Sequence, residues 1–254
     1  MSIDRTFVPT AVLLAAGFAL FELTGIDLWV QDFCYDFTRH AWLVDKTASL
    51  PRLLFYDGPK VAIAVLGIAM AALALFRNKL RSPRLPSRRD LLVCVLTLAA
   101  APSLVALGKA VTNVHCPYQI ERYGGNVPYV KVCQRFPEDE RPAKRGRGFP
   151  AGHASGGFAL VALAGLARSR RGQLAGFLAG QAAGWTMGIY QILKGAHYLS
   201  HTVFTAFLCW LMFLAIRRLC GAALPLPAPV RRVACEPPGR LPAAPACGSA
   251  RMGP

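Results

Sequence analysis

The chain has 254 residues, of which 54% are hydrophobic and only 17% are charged, and its formal net charge is +16. A soluble domain of this length normally carries about a quarter charged residues, so the composition argues against one. The basic residues lie in short clusters between apolar runs, with no patch of interleaved aromatics, and this argues against nucleic acid as a partner.

Six apolar runs predict membrane helices, because about 20 apolar residues cross the hydrocarbon core of a bilayer. They are residues 8–26, 59–76, 90–108, 153–167, 173–193 and 202–219. The fourth run is short and the fifth is rich in Gly and Ala, but small residues let neighbouring helices approach closely. The predicted fold class is therefore all-α: a six-helix bundle of an integral membrane protein, formed by residues 1–219.

The first run resembles a signal peptide in length, but its flanking residues do not. Asp4 stands beside Arg5, and Phe21, Glu22 and Leu23 make a poor cleavage site. We therefore predict an uncleaved first helix with Glu22 near its outer end. At the other terminus, residues 220–254 are rich in Pro, Ala and Arg without periodicity, which predicts a disordered cytoplasmic tail.

Three short basic clusters set the expected orientation. They lie within residues 77–89, 168–171 and 217–218, on one side of a six-helix bundle. Cytoplasmic loops carry an excess of Lys and Arg, so this side is predicted to be cytoplasmic. The expected location is a bacterial inner membrane, crossed several times, with the long 109–152 segment facing the periplasm.

The eight cysteines divide according to this topology. Cys34, Cys116 and Cys133 are expected on the oxidising side. There a Cys116–Cys133 disulfide is predicted to close part of the long outer segment, and Cys34 is then expected to have no disulfide partner.

Three of the five histidines are predicted to lie in one layer at the membrane surface. His153 opens the fourth helix, whereas His197 and His201 bracket a short outer turn, and Lys109 leaves the third helix on the same side. The two others, His40 and His115, are predicted to be surface residues.

Such a set suits phosphoryl transfer. Phosphate monoesters hydrolyse extremely slowly without a catalyst, so the reaction needs charge stabilisation and a positioned nucleophile. A neutral imidazole can attack phosphorus, and a second imidazole can protonate the leaving oxygen and then activate water. Lys109 would neutralise the phosphate, and the amides of Gly152 and His153, at a helix N-terminus, would add donors.

The sequence resembles the type 2 phosphatidic acid phosphatase superfamily over roughly residues 90–215. That family has Lys, six residues and Arg-Pro, then Pro-Ser-Gly-His, then Ser-Arg, five residues, His, three residues and Asp. The corresponding segments here are Lys109 with Cys116-Pro117, Pro150-Ala151-Gly152-His153, and Tyr190-Gln191 with His197 and His201. The order and the internal spacing of the three motifs agree.

The resemblance implies a role for each matching residue. His197 would be the nucleophile and His153 the general acid and base, and His201 stands where the family uses Asp to orient the nucleophile. Cys116 and Gln191 replace two phosphate-binding arginines, and Ala151 replaces a serine. Gln191 can still donate hydrogen bonds, and Lys194, Arg122, Arg145 or Arg147 could supply the missing charge. The predicted phosphate-binding residues are Lys109, Ala151, Gly152, Gln191 and Lys194.

The predicted function is metal-independent dephosphorylation of a lipid phosphate or diphosphate through a phosphohistidine, with no cofactor. An outward-facing site favours lipid A or undecaprenyl diphosphate as the substrate. Three alternatives stay open: a lipid phosphotransferase, a non-catalytic membrane protein or transporter, and a zinc hydrolase using His197 and His201. No Glu follows the first of these histidines as in zinc-protease helices, and the sequence leaves the oligomeric state open.

Overall fold

Helices form most of the chain in the computed structural model, which describes residues 3–80 and 82–223. The α-helices are α1 (Phe7–Leu23), α2 (Ile26–Asp32), α3 (Ser49–Arg52), α4 (Gly58–Phe76), α5 (Arg88–Val111), α6 (Gly152–Ala159), α7 (Arg170–Leu193) and α8 (Leu199–Ala223). A π-helical turn, Leu53–Asp57, joins α3 to α4, and a 3-10 segment, Leu160–Leu166, continues α6. Strands β1 (Tyr35–Asp36) and β2 (Ala41–Trp42) form an antiparallel hairpin.

The helices identify an all-α membrane protein. Within the described residues, three helices are long and apolar enough to cross a membrane, namely Ser49–Phe76, Arg88–Val111 and Leu199–Gly221. Helices α1 and α2 meet at 72° and would make a fourth span if they are counted together. Every predicted apolar run is helical, but the segment Gly152–Leu166 is short. The count of six spans therefore stays a prediction.

Glycines bring α6 and α7 close together, as the small residues of the fifth run predicted. A Cβ atom at Gly180 would lie 2.3 Å from the backbone nitrogen of Val161, and one at Gly157 would lie 2.7 Å from that of Gly184. Only glycine allows the two backbones to approach this closely. This packing holds the N-terminus of α6 against the end of α7, where the site residues lie.

A segment between α1 and α3, residues 26–46, covers the turn that joins α7 to α8, and we call it the cap segment. Gln31 Nε2 donates a hydrogen bond of 2.8 Å to the carbonyl oxygen of Ile192, and the Val44 amide donates one of 3.3 Å to that of Leu193. Trp42 packs on Gly195 so closely that a Cβ atom there would lie 2.4 Å from its ring. The cap segment therefore fixes the turn from outside.

The carboxylate of Asp27 adds a further contact at the start of α8. It accepts hydrogen bonds from the Ser200 amide, at 2.9 Å, and from the Ser200 hydroxyl. A carboxylate at a helix N-terminus satisfies free amides and complements the helix dipole. Asp27 therefore anchors the helix that carries His201.

The predicted disulfide is wrong, because Cys116 and Cys133 are both free thiols. Glu22, near the end of α1 as predicted, holds the Cys133 region: its carboxylate accepts hydrogen bonds of 3.0 Å from the Val132 amide and 3.2 Å from the Cys133 amide. Cys133 is consequently exposed on the outer loop, whereas Cys116 lies in the cavity described below.

His115 is buried, contrary to the prediction of a surface residue. Its Nε2 atom lies 3.2 Å from the carbonyl oxygen of Lys144, and its ring packs edge-on against Phe136. His40 is exposed, as predicted. The predicted tail begins inside α8, which continues to residue 223, and the rest of it lies outside the described residues.

Candidate active site

The three predicted site histidines lie together, with His197 between His153 and His201. His153 Nδ1 lies 3.4 Å from His197 Nε2, and His201 Nδ1 lies 3.5 Å from His197 Nδ1. Each ring nitrogen of His197 therefore faces one other histidine. If His197 carries its proton on Nδ1, it can donate to His201, and Nε2, which faces His153, keeps the lone pair that a nucleophile needs.

A glycine turn places His197 at this point. Gly195 has φ of +72°, which is the left-handed conformation that commonly ends a helix. The Ala196 and His197 amides then donate to the carbonyl oxygen of Gln191, at 2.8 and 3.3 Å. These bonds turn the chain back at the end of α7, so that His197 lies in the turn just before α8 and His201 lies in the first turn of α8.

The predicted phosphate-binding role of the Ala151 amide does not agree with its hydrogen bonds. This amide donates to Thr205 Oγ1, at 3.0 Å, and lies 3.3 Å from the carbonyl oxygen of His201. It therefore ties the start of α6 to α8 and is not free for a ligand. The next two amides, at Gly152 and His153, belong to the first turn of α6, where no intrahelical acceptor exists.

Lys109 lies directly against this helix start. A Cβ atom at Gly152 would lie 2.9 Å from Lys109 Cε, and Lys109 Nζ donates a hydrogen bond of 3.1 Å to the carbonyl oxygen of Arg147. Glycine at position 152 thus makes room for the lysine beside His153. An ammonium group and two amides converge here, which is an arrangement suited to an anion.

A cavity of about 500 Å³ opens beside the histidines. Its lining includes His153 and His197 together with five basic residues, and none of the described residues that line it is acidic. The basic residues are Lys46, Lys109, Arg145, Arg147 and Lys194. The charge that the two family arginines would bring is therefore present on other residues. Arg122 does not contribute, because Asp32 binds its guanidinium at 2.7 and 2.8 Å.

Lys46 is the site residue that sequence reasoning missed. It comes from the cap segment, far from all three motifs in sequence, and its ammonium lies 5.9 Å from the centre of the Tyr118 ring. No local pattern marks it, since a single Lys in an outer segment is ordinary. Only the folding of the cap segment over the turn brings it to the cavity.

The residues that replace the family arginines are neutral and line the cavity. Burial raises the pKa of Cys116 to about 11, against the opposing effect of Lys109, so its thiol stays protonated. Gln191 is 1% exposed, and neither Nε2 nor Oε1 of its side chain has a hydrogen-bond partner among the described residues. Lys194 lies nearby with its ammonium 4.6 Å from the centre of the Tyr190 ring.

Burial lowers the pKa of His197 well below its usual value, and the charges of Lys109, His201 and His153 act in the same direction. Since a His pKa is ordinarily about 6.5, the ring is neutral at physiological pH. A neutral imidazole is the form that can act as a nucleophile.

A second, apolar groove of about 700 Å³ runs between α4 and the helices α5 and α6. Its walls include Ile63, Ile68, Val95 and Leu98, and it shares Lys109 and His153 with the basic cavity. The two spaces therefore meet at the site. Within residues 3–80 and 82–223, no group of three or more His, Cys, Asp or Glu side chains is arranged to hold a metal ion.

One family model, described as the PAP2 superfamily, matches residues 90–223, which is just over half of the chain. The matched region contains Lys109, the three histidines and Gln191, and the cap segment lies outside it. No curated protein and no solved structure gives a significant match.

Proposed function

Because the chain belongs to the PAP2 superfamily, whose members are phosphatases of phosphate esters, we propose that it removes phosphate from a membrane lipid through a phosphohistidine at His197. The site would need no metal or cofactor. We place it in a bacterial inner membrane with the cavity facing the periplasm. Lipid A and undecaprenyl diphosphate are the favoured substrates.

The proposal of a lipid substrate rests on one observation: the basic cavity and the apolar groove meet at the site. The basic cavity suits a phosphate, and the apolar groove suits a hydrocarbon chain; Lys109 and His153 line both. Helices α4 and α5, which form the groove, belong to two of the three helices able to cross a membrane. A lipid could therefore keep its chain at the level of the bilayer while its phosphate reaches His197.

The reaction would proceed in two steps. In the first, His153 takes up a proton as the phosphate anion binds beside it. The lone pair of His197 Nε2 then attacks phosphorus, the bond between phosphorus and the ester oxygen breaks, and His153 gives that proton to the leaving oxygen. In the second, the now neutral His153 takes a proton from water, the resulting hydroxide attacks phosphorus, and the bond between nitrogen and phosphorus breaks. Inorganic phosphate leaves, and both histidines return to their initial states.

His201 would act by holding the nucleophile in the reactive tautomer. With His197 Nδ1 protonated, the contact of 3.5 Å to His201 Nδ1 can stabilise the positive charge that develops as Nε2 bonds to phosphorus. A neutral imidazole does this less strongly than a carboxylate. The cations around the cavity would stabilise the charge on the phosphoryl oxygens.

The test is phosphate release by the full-length protein, purified in detergent, from a panel of lipid phosphates and diphosphates in the presence of a chelator. We expect release by the wild type, loss of release in His197→Ala, and normal release in His40→Asn, a histidine exposed outside the cavity. Mass spectrometry of the quenched enzyme should detect a phosphorylated His197. Equal release by His197→Ala would contradict the mechanism, and absence of release from every lipid would contradict the function.

A further inference from the structure

Gln191 presents an unused hydrogen-bonding group to the site. Its side chain is almost fully buried, it lines the basic cavity, and both of its polar atoms lack partners among the described residues. Its backbone carbonyl accepts the amide of His197 at 3.3 Å, so the residue lies directly beside the nucleophile. A buried amide without partners is unfavourable, and a ligand that satisfies it gains specificity.

A phosphate alone cannot satisfy this amide. A fully ionised phosphate has only acceptor oxygens, so it can pair with the NH₂ group but not with the carbonyl oxygen. The result is the same if the assigned positions of the amide oxygen and nitrogen are exchanged, because neither atom has a hydrogen-bond partner among the described residues. The carbonyl oxygen therefore requires a donor.

The surrounding side chains do not provide that donor. Lys194, the nearest basic residue in sequence, holds its ammonium over the rings of Tyr190 and Tyr56, at 4.6 and 5.5 Å. Cys116 offers only a thiol, which is a weak donor. The donor has to come from what occupies the cavity.

We propose that Gln191 forms a subsite for a hydroxyl group of the substrate, on the carbon next to the one that carries the scissile phosphate ester. On binding, the buried amide turns toward the cavity, accepts a hydrogen bond from the hydroxyl hydrogen and donates one to a phosphate oxygen. This inference rests on the proposed function and refines its substrate: it ranks lipids with a phosphorylated polyol or sugar headgroup above undecaprenyl diphosphate and lipid A, which carry no free hydroxyl at that carbon. A cavity of about 500 Å³ is far larger than one phosphate and has room for such a headgroup.

The test uses a matched pair of substrates: a 1-O-alkylglycerol 3-phosphate with a free 2-hydroxyl, and its 2-deoxy analogue. Both are presented to the detergent-purified, full-length protein at the same mole fraction in micelles. We expect kcat/KM to be about tenfold higher for the hydroxylated substrate, which is the effect of losing one net hydrogen bond. The comparison within the wild type does not depend on how any variant folds.

Two variants then assign the preference to Gln191. In Gln191→Leu, we expect kcat/KM for the two substrates to agree within about twofold, because the amide is gone. Lys194→Met is the matched control: it removes a cation from the same cavity and should lower kcat/KM for both substrates by the same factor, so that their ratio persists.

The outcomes separate the two proposals. Equal kcat/KM for both substrates in the wild type, or a preference that persists in Gln191→Leu, would overturn the hydroxyl subsite and leave the phosphatase function standing. Absence of release from both substrates, when the wild type releases phosphate from another lipid of the panel, would likewise overturn the hydroxyl subsite; absence of release from every lipid would contradict the proposed function itself.

Discussion

The helices α5 to α8 and the cap segment meet at the same turn but contribute to it in different ways. The first region carries the three histidines, Lys109 and Gln191, and it is the region that the family match covers. The cap segment lies outside that match and brings only Lys46 to the cavity. It also binds the backbone of the turn, and its aromatic residues Tyr35 and Trp42 pack against Tyr123.

These backbone contacts indicate that the reacting side chains come from the helices α5 to α8, whereas the cap segment helps to position them. Gln31 binds the carbonyl of Ile192, Trp42 packs on Gly195, and Asp27 binds Ser200, so three points around His197 are fixed from the cap segment. A displacement of about 1 Å in a reacting group can cost a hundredfold in rate. We therefore expect changes in the first region to remove the reaction, and changes in the cap segment to slow it.

The largest effect should follow the loss of a reacting side chain in the first region. The imidazole of His153 lies 3.4 Å from that of His197, and replacing it by Gln keeps a polar side chain but removes the proton donor. Because general acid–base catalysis contributes about 10²–10⁴-fold, we expect kcat to fall by that factor. The measurement is phosphate release with the lipid that the wild type prefers, beside His40→Asn as the control. A loss of less than tenfold would show that another group protonates the leaving oxygen.

The apolar pattern correctly predicted helices at all six runs, because a run of about 20 apolar residues can be recognised from the local sequence alone. Boundaries were less accurate: the helix predicted from residue 59 continues a helix that begins at Ser49, through a π-helical turn that the sequence does not mark. Helix α7 does not qualify as a span, because its three glutamines and many glycines lower its hydropathy.

At the site, the residue spacing within each motif predicted which side chains lie together. It did not predict the contacts that depend on segments distant in the sequence. His153, His197, His201 and Lys109 are brought together as expected. The Ala151 amide is occupied by Thr205, a partner 54 residues away, and Lys46 arrives through the cap segment. No local pattern contains either relationship.

An intermediate effect should follow a change at Asp27, which tests the cap segment as a positioning element. Asp27→Asn weakens the bonds to the Ser200 amide and hydroxyl and loosens the start of α8. We expect kcat to fall about tenfold with KM nearly unchanged, because orientation is lost while the cavity is kept. Asp27→Glu should recover part of the rate.

Asp32→Asn is the matched control on the same helix. Asp32 pairs with Arg122 and accepts the Tyr123 hydroxyl at 2.9 Å, away from the turn. Since this pair is partly exposed and does not touch the turn, its loss should change kcat by less than about twofold. Equal losses in the two variants would show that the cap segment contributes to general stability and not to the position of His197.

The smallest effect should appear in the pH dependence, and it connects the two regions directly. His197 is kept neutral mainly by burial, and the cap segment covers the turn that carries it: Trp42 packs on Gly195, and Gln31 donates to the carbonyl oxygen of Ile192. The neutral ring is the nucleophile, so activity falls when the pH drops through its pKa. A lowered pKa places the acid limb of kcat/KM below about pH 6.5, the value for an unperturbed imidazole.

Loosening the cap segment should admit water, favour the charged imidazolium, and raise this pKa toward its usual value. We therefore expect the acid limb of Asp27→Asn to lie at a higher pH than that of the wild type, and the limb of Asp32→Asn to stay in place. The same substrate is used for all three proteins, so its own ionisation cancels in the comparison. If the acid limb does not move in Asp27→Asn, the helices α5 to α8 bury His197 without help. The cap segment would then affect only the position of His197 and not its pKa.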